Sequence, residues 1–64
     1  MHKAYLKNTE DASIRSDTMS APTVREAKQA AKENYQTLYN ANQNWQTKYP
    51  TFNALLEVSV YMVE

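Results

Sequence analysis

The sequence predicts a small α+β fold, a two-layer β(β)αβ domain with one helix packed on a two- or three-stranded antiparallel sheet. Three observations predict it. Thr23-Val24-Arg25-Glu26 forms a capping box at the head of a run of good helix formers. Stretches near both ends, Lys3-Ala4-Tyr5-Leu6-Lys7 and Leu56 to Met62, alternate with the two-residue period of a strand. The 64 residues include no glycine, so tight Asn-Gly hairpins are unavailable and the connections must be longer. A chain of this length makes one domain, spanning residues 1–64.

The first strand is expected over about residues 3–7. The stretch from Asn8 to Pro22 is polar and rich in Ser, Thr and Asp. Within it Ala12-Ser13-Ile14-Arg15 can form a second strand, with Asn8-Thr9-Glu10-Asp11 at the hairpin turn. The alternative is an irregular loop through residues 8–22. In the helix, the Thr23 hydroxyl can accept from the Glu26 N–H while Pro22 keeps upstream residues from extending it. At 100° per residue Val24, Ala27, Ala31, Leu38, Trp45 and Tyr49 share a stripe with Tyr35 close beside it, so the helix is expected over about 24–46. Pro50 forbids it from running much further. Asn40-Ala41-Asn42-Gln43-Asn44 is poor in helix propensity, which makes fraying or a stop near Asn40 the competing outcome. A last strand is expected over about 55–63, with Leu56, Val58, Val60 and Met62 facing the core and Glu57, Ser59 and Tyr61 facing away. Its edge is expected to be uncovered.

Alanines at the start of the helix and Leu38, Trp45 and Tyr49 at its end predict a core that is narrow at one end and aromatic at the other. With a strand at 12–15 the sheet order is 2-1-3. Without it strands 1 and 3 form a minimal sheet. Both versions leave an exposed edge, which is a docking site by default.

Composition excludes several chemistries. Without glycine there is no phosphate-cradling loop, and without cysteine no zinc knuckle, disulfide or thiolate nucleophile. His2 is the single histidine and has no histidine partner for a metal site or a catalytic triad. The sequence therefore offers no catalytic, cofactor-binding or metal-ligating residues, and a two-layer domain this small has little room for a pocket that tunes carboxylates. Seven basic and seven acidic side chains balance to a formal net charge of zero, so no overall field draws the chain to nucleic acid or anionic lipid. Neither a signal peptide nor a membrane span is expected, and a cytoplasmic location is expected. A domain of about 60 residues buries only roughly 60% of its unfolded surface. Association with itself or with a partner is the remaining means of adding to the core.

The candidate partner-binding residues come from three features. Arg25, Lys28 and Lys32 lie on one helix flank, interleaved with Tyr35 and Tyr39, and such a flank could track a phosphate backbone or face a protein. Five tyrosines are many for 64 residues. Tyr35, Tyr39 and Tyr61 are expected at an interface, where tyrosine supplies contact area at small rotamer cost, while Trp45 and Tyr49 are expected in the core. Glu10 and Asp11, with Asp17, make the first loop acidic and suited to a basic partner.

In size, neutrality and lack of motifs the chain resembles compact phage or mobile-element proteins that inhibit host machinery, including the anti-restriction and anti-CRISPR types. The resemblance matches no residue motif and carries over no site. It implies a non-catalytic protein-binding module acting by occlusion. The sequence also leaves open a structural homodimer and a weak nucleic-acid binder using Arg25, Lys28 and Lys32.

Overall fold

In the computed structural model, which describes residues 1–64, β1 (His2–Asn8) is the central strand of a three-stranded antiparallel sheet ordered β2-β1-β3. Its alternation sorts the side chains: Ala4, Leu6 and Asn8 are buried under the helical layer, and Lys3, Tyr5 and Lys7 occupy the outer face. β2 (Met19–Ala21) and β3 (Ser59–Val63) flank it.

The expected 2-1-3 order holds, but the second strand is Met19–Ala21 and not residues 12–15. The returning chain does meet β1 early, through the isolated bridge between Lys7 and Arg15 and the bond from the Asn8 N–H to the Ile14 carbonyl, 2.9 Å. It then loses the ladder. Ala4 pairs with Met19 whereas Lys7 pairs with Arg15, so the returning chain spends one residue more than β1 over the same span. That extra residue is a bulge. At its edge the Ser16 hydroxyl stands in for a backbone acceptor: Leu6 N–H donates to Ser16 Oγ at 2.8 Å and Ser16 N–H donates to the Leu6 carbonyl at 2.8 Å. Ile14 is buried, which is the periodicity that suggested a strand there.

α1 (Val24–Ala41) begins as expected, with Thr23 Oγ1 accepting from the Glu26 N–H at 3.1 Å. It stops at Ala41 and does not continue to residue 46. Asn42 ends it because its side chain caps the next helix, α2 (Gln43–Lys48), accepting from the Trp45 N–H at 3.1 Å. Gln46 Nε2 donates back to the carbonyls of Tyr39 and Asn40 at the end of α1, sharing the Tyr39 carbonyl with the Asn42 N–H. The buried row of α1 is Ala27, Ala31, Tyr35 and Tyr39, an i, i+4 series rotated from the expected stripe, and Val24 at its head is 37% exposed.

The region expected to open the last strand is helical. Thr51, directly after Pro50, caps α3 (Phe52–Glu57) by accepting from the Ala54 N–H at 3.1 Å, and α3 delivers Leu55 to the core. β3 therefore starts at Ser59 and not at 55. Its faces are also reversed from the expectation: Leu6 sits opposite Tyr61, so Tyr61 lies on the helical side, while Val60 and Met62 lie on the outer side and are 42% and 36% exposed. The reason lies in the packing. α3 contributes Leu55 in place of a strand-borne Leu56, and the pairing of β3 then follows the inward residues of β1.

The core grades from small to large as expected. Ala4, Ala21 and Ala27 form a tight cluster where α1 begins. Leu6, Ile14, Tyr35, Tyr39, Tyr49 and Leu55 form the main cluster, with Trp45 and Phe52 packed against it. Tyr35 meets Trp45 and Phe52 edge-on, with centroids at 5.8 and 5.9 Å, a geometry that favours aromatic pairs. Burying Leu55 stabilises the fold by about 1.5–3 kcal/mol.

Candidate functional site

α1 packs on β1 and β2 and only touches β3. This offset leaves a shelf over β3, a groove of about 800 Å³ with Arg25, Lys28, Lys32, Glu33 and Gln36 along its helical wall and Tyr61 on its floor. Lys28 Nζ stands 4.9 Å from the centre of the Tyr61 ring, a cation–π contact that holds the ammonium over the strand. The fold has one ion pair, Lys48 with Asp11 at 3.6 Å, so none of the three groove cations is paired. Lys28 and Lys32 are one helical turn apart, a like-charge spacing that costs about 0.2–0.5 kcal/mol when nothing compensates it.

Beside the groove runs the free edge of β3. The bonds from Thr9 N–H to the Val58 carbonyl and from Glu64 N–H to the Lys3 carbonyl, both 2.8 Å, show that the even-numbered residues aim their backbone groups at β1. Ser59, Tyr61 and Val63 consequently aim theirs outward, where no strand pairs with them. The edge is uncharged from Ser59 to Val63. It carries none of the lysines, prolines or bulges with which proteins usually blunt an edge.

Of the expected site residues, Arg25, Lys28, Lys32 and Tyr61 come together in this groove. Tyr35 and Tyr39 do not. They are 0% and 7% exposed and belong to the core, with their hydroxyls bonded to Ser59 Oγ at 2.9 Å and to the Tyr49 carbonyl at 2.6 Å. A tyrosine on the buried row of a helix reaches past the apolar layer to a polar partner beyond it. Burial pushes the Tyr35 hydroxyl pKa above 10.0, partly offset by the Ser59 bond. Glu10 and Asp11 lie just past the C-terminal end of β1, tied into the scaffold. Tyr49 Oη donates to Glu10 at 2.9 Å and accepts from Asn8 Nδ2 at 2.8 Å. Asp11 accepts from the Ser13 hydroxyl and N–H, which together with Lys48 hold its carboxyl below the usual carboxylate range.

Two features escaped sequence reading. An exposed edge is expected from the sequence, but the inward face of β3 is not: Tyr61 stands on the groove side and Val60 and Met62 on the outer side. The second is the outer sheet face, where Arg15 stacks at 3.9 Å over Tyr5 between Lys3 and Lys7. Its signal was the alternation of charge along β1. No group of three or more His, Cys, Asp or Glu side chains lies close enough to hold a metal ion, and no helix is long and apolar enough to cross a membrane. Compared with known proteins, the chain matches no family model, no curated protein and no solved structure.

Proposed function

We propose that this protein is a non-catalytic protein-binding module that acts by occlusion, covering part of a target through the β3 edge and the groove beside it, as an inhibitor of phage or mobile-element type would. One observation carries the reading: an unpaired, uncharged strand edge lies against three unpaired cations. Backbone groups on such an edge supply affinity to an incoming strand, and side chains along the wall supply selection. The buried polar side chains, Asn8 and Ser16, are spent on structural hydrogen bonds.

The test is capture of a partner on immobilised protein, from bacterial lysate, with and without nuclease. The expected result is a protein partner that survives nuclease and is lost from a Lys28→Glu/Lys32→Glu variant. A partner released by nuclease would favour the nucleic-acid alternative. A partner retained by the variant would show that the groove is not the contact surface.

A further inference from the structure

We infer that the groove and the β3 edge together bind an extended acidic peptide segment, seated as a fourth strand of the sheet with carboxylates at alternate positions. The inference rests on the protein-binding reading and names the chemistry of the partner.

Spacing is the first argument. Along α1, four residues advance about 6 Å, which sets the separation of Lys28 and Lys32. Along a strand, two residues advance about 6.4–6.8 Å. A strand laid on the outer edge of β3 thus presents every second side chain to the helical wall at nearly the lysine repeat, with Arg25 extending the row by a further turn. Such a strand lies about 4.8 Å beyond β3. Lys28 already places its ammonium over Tyr61 of β3, next to that position.

Charge is the second argument, and it selects among occupants. The wall carries Arg25, Lys28 and Lys32 against Glu33, so an acidic strand relieves the Lys28–Lys32 repulsion and gains charge-assisted contacts. A second copy of this chain pairing β3 with β3 about a two-fold axis would place both walls over one seam, six cations against two carboxylates. Nucleic acid could meet the cations but has no amide row to pair with Ser59, Tyr61 and Val63. The uncharged edge needs a polypeptide.

The probe is a short peptide alternating glutamate with valine, compared with one alternating lysine with valine and with oligothymidylate, all titrated against the full chain by fluorescence polarisation. Hydrogen exchange at Ser59, Tyr61 and Val63 reports the edge. The glutamate peptide should bind, slow exchange at those three amides, and weaken as salt rises. The Lys28→Glu/Lys32→Glu variant should bind it at least about tenfold more weakly and prefer the lysine peptide, because two surface attractions become repulsions. Both substitutions are on the helix surface, and an unchanged circular-dichroism spectrum checks that the variant is folded. A glutamate peptide N-methylated on the edge that meets β3 should lose binding even with wild type. Equal binding of both peptides, tighter binding of oligothymidylate, or protection elsewhere would overturn the inference. If a nuclease-resistant partner is captured through the groove while the glutamate peptide fails, the acidic-strand inference falls and the protein-binding reading stands. If both fail, both fall.

Discussion

Asn8→Ala should remove a large share of this domain's stability, although it takes away only a small polar side chain. Asn8 is 1% exposed at the end of β1, and its side chain makes three hydrogen bonds: Nδ2 donates to Tyr49 Oη at 2.8 Å, while Oδ1 accepts from the N–H groups of Glu10 at 2.6 Å and Asp11 at 3.1 Å. These bonds turn the chain out of β1 and fasten that turn to the end of α2. Each bond contributes about 0.5–1.5 kcal/mol net, and donors left partly buried forfeit their solvation as well. Water can reach the Glu10 and Asp11 amides in part, and Tyr49 Oη keeps its bond to Glu10. The expected loss is therefore about 2–3 kcal/mol. A domain of this size has roughly 3–10 kcal/mol in all. Urea unfolding followed by Trp45 fluorescence and by circular dichroism measures it, with an unchanged slope expected and a melting temperature lower by roughly 8–24 °C. The Asn8→Asp variant separates the acceptors from the donor. It can still accept from both amides, but it loses the donor to Tyr49, whose one proton is held by Glu10, and it buries a carboxylate beside that of Glu10, so it should be at least as damaging as the alanine. The reasoning is refuted if Asn8→Ala lies within about 0.5 kcal/mol of wild type, or if Asn8→Asp is as stable as wild type.

Three further outcomes follow from the same structure. Burial raises the Tyr35 pKa above 10.0 in the folded state, so the unfolded chain releases that proton first and stability should fall as pH rises beyond about 10. Alkaline denaturation of Tyr35→Phe should show a shallower loss there, at the cost near neutrality of the bond to Ser59. Asp11 has the opposite sign: its carboxyl is held below 3.8 by Ser13 and then Lys48, so its contribution is present above that pH and is lost as pH falls through the lower folded value. An acid titration of Asp11→Asn should be flatter in that range, and an unchanged slope would show that the Ser13 bonds persist in the unfolded chain. Ala31→Leu should destabilise by about 1–3 kcal/mol, because Ala31 is fully buried on the row of α1 that packs on the sheet. A leucine accommodated without loss in thermal melts would mean that the helix stands further from β1 than described.

Legibility divides by the range of the signal. Thr23 and Glu26 mark the start of α1 because capping is settled within four residues, and the alternation of β1 survives because its inward positions, Ala4 and Leu6, are apolar. The same kind of local signal was present at Thr51 and Asn42, whose side chains cap α3 and α2. At Thr51 it competes with an apparent strand period through Leu56, Val58, Val60 and Met62, and the cap prevails. In the candidate site, Arg25, Lys28 and Lys32 were legible as one helix flank because their spacing is helical. Tyr35 and Tyr39 were misplaced because an amphipathic ring can end at an interface or across a core, and no neighbour in sequence distinguishes the two.

Residue order along the chain thus decides the periods, the caps and the small-to-large gradient from Ala27 to Tyr39, all of which depend on contacts within a turn or two of backbone. Tertiary packing decides which face of each period is inward. The bulge after Ser16 moves β2 to Met19–Ala21, Leu55 enters the core from α3, and β3 then takes its register from β1. It also decides the groove. α1 settles over β1 and β2, where Ala27 and Ala31 permit close approach, and that offset leaves the cations of one flank beside an edge that no part of the fold pairs.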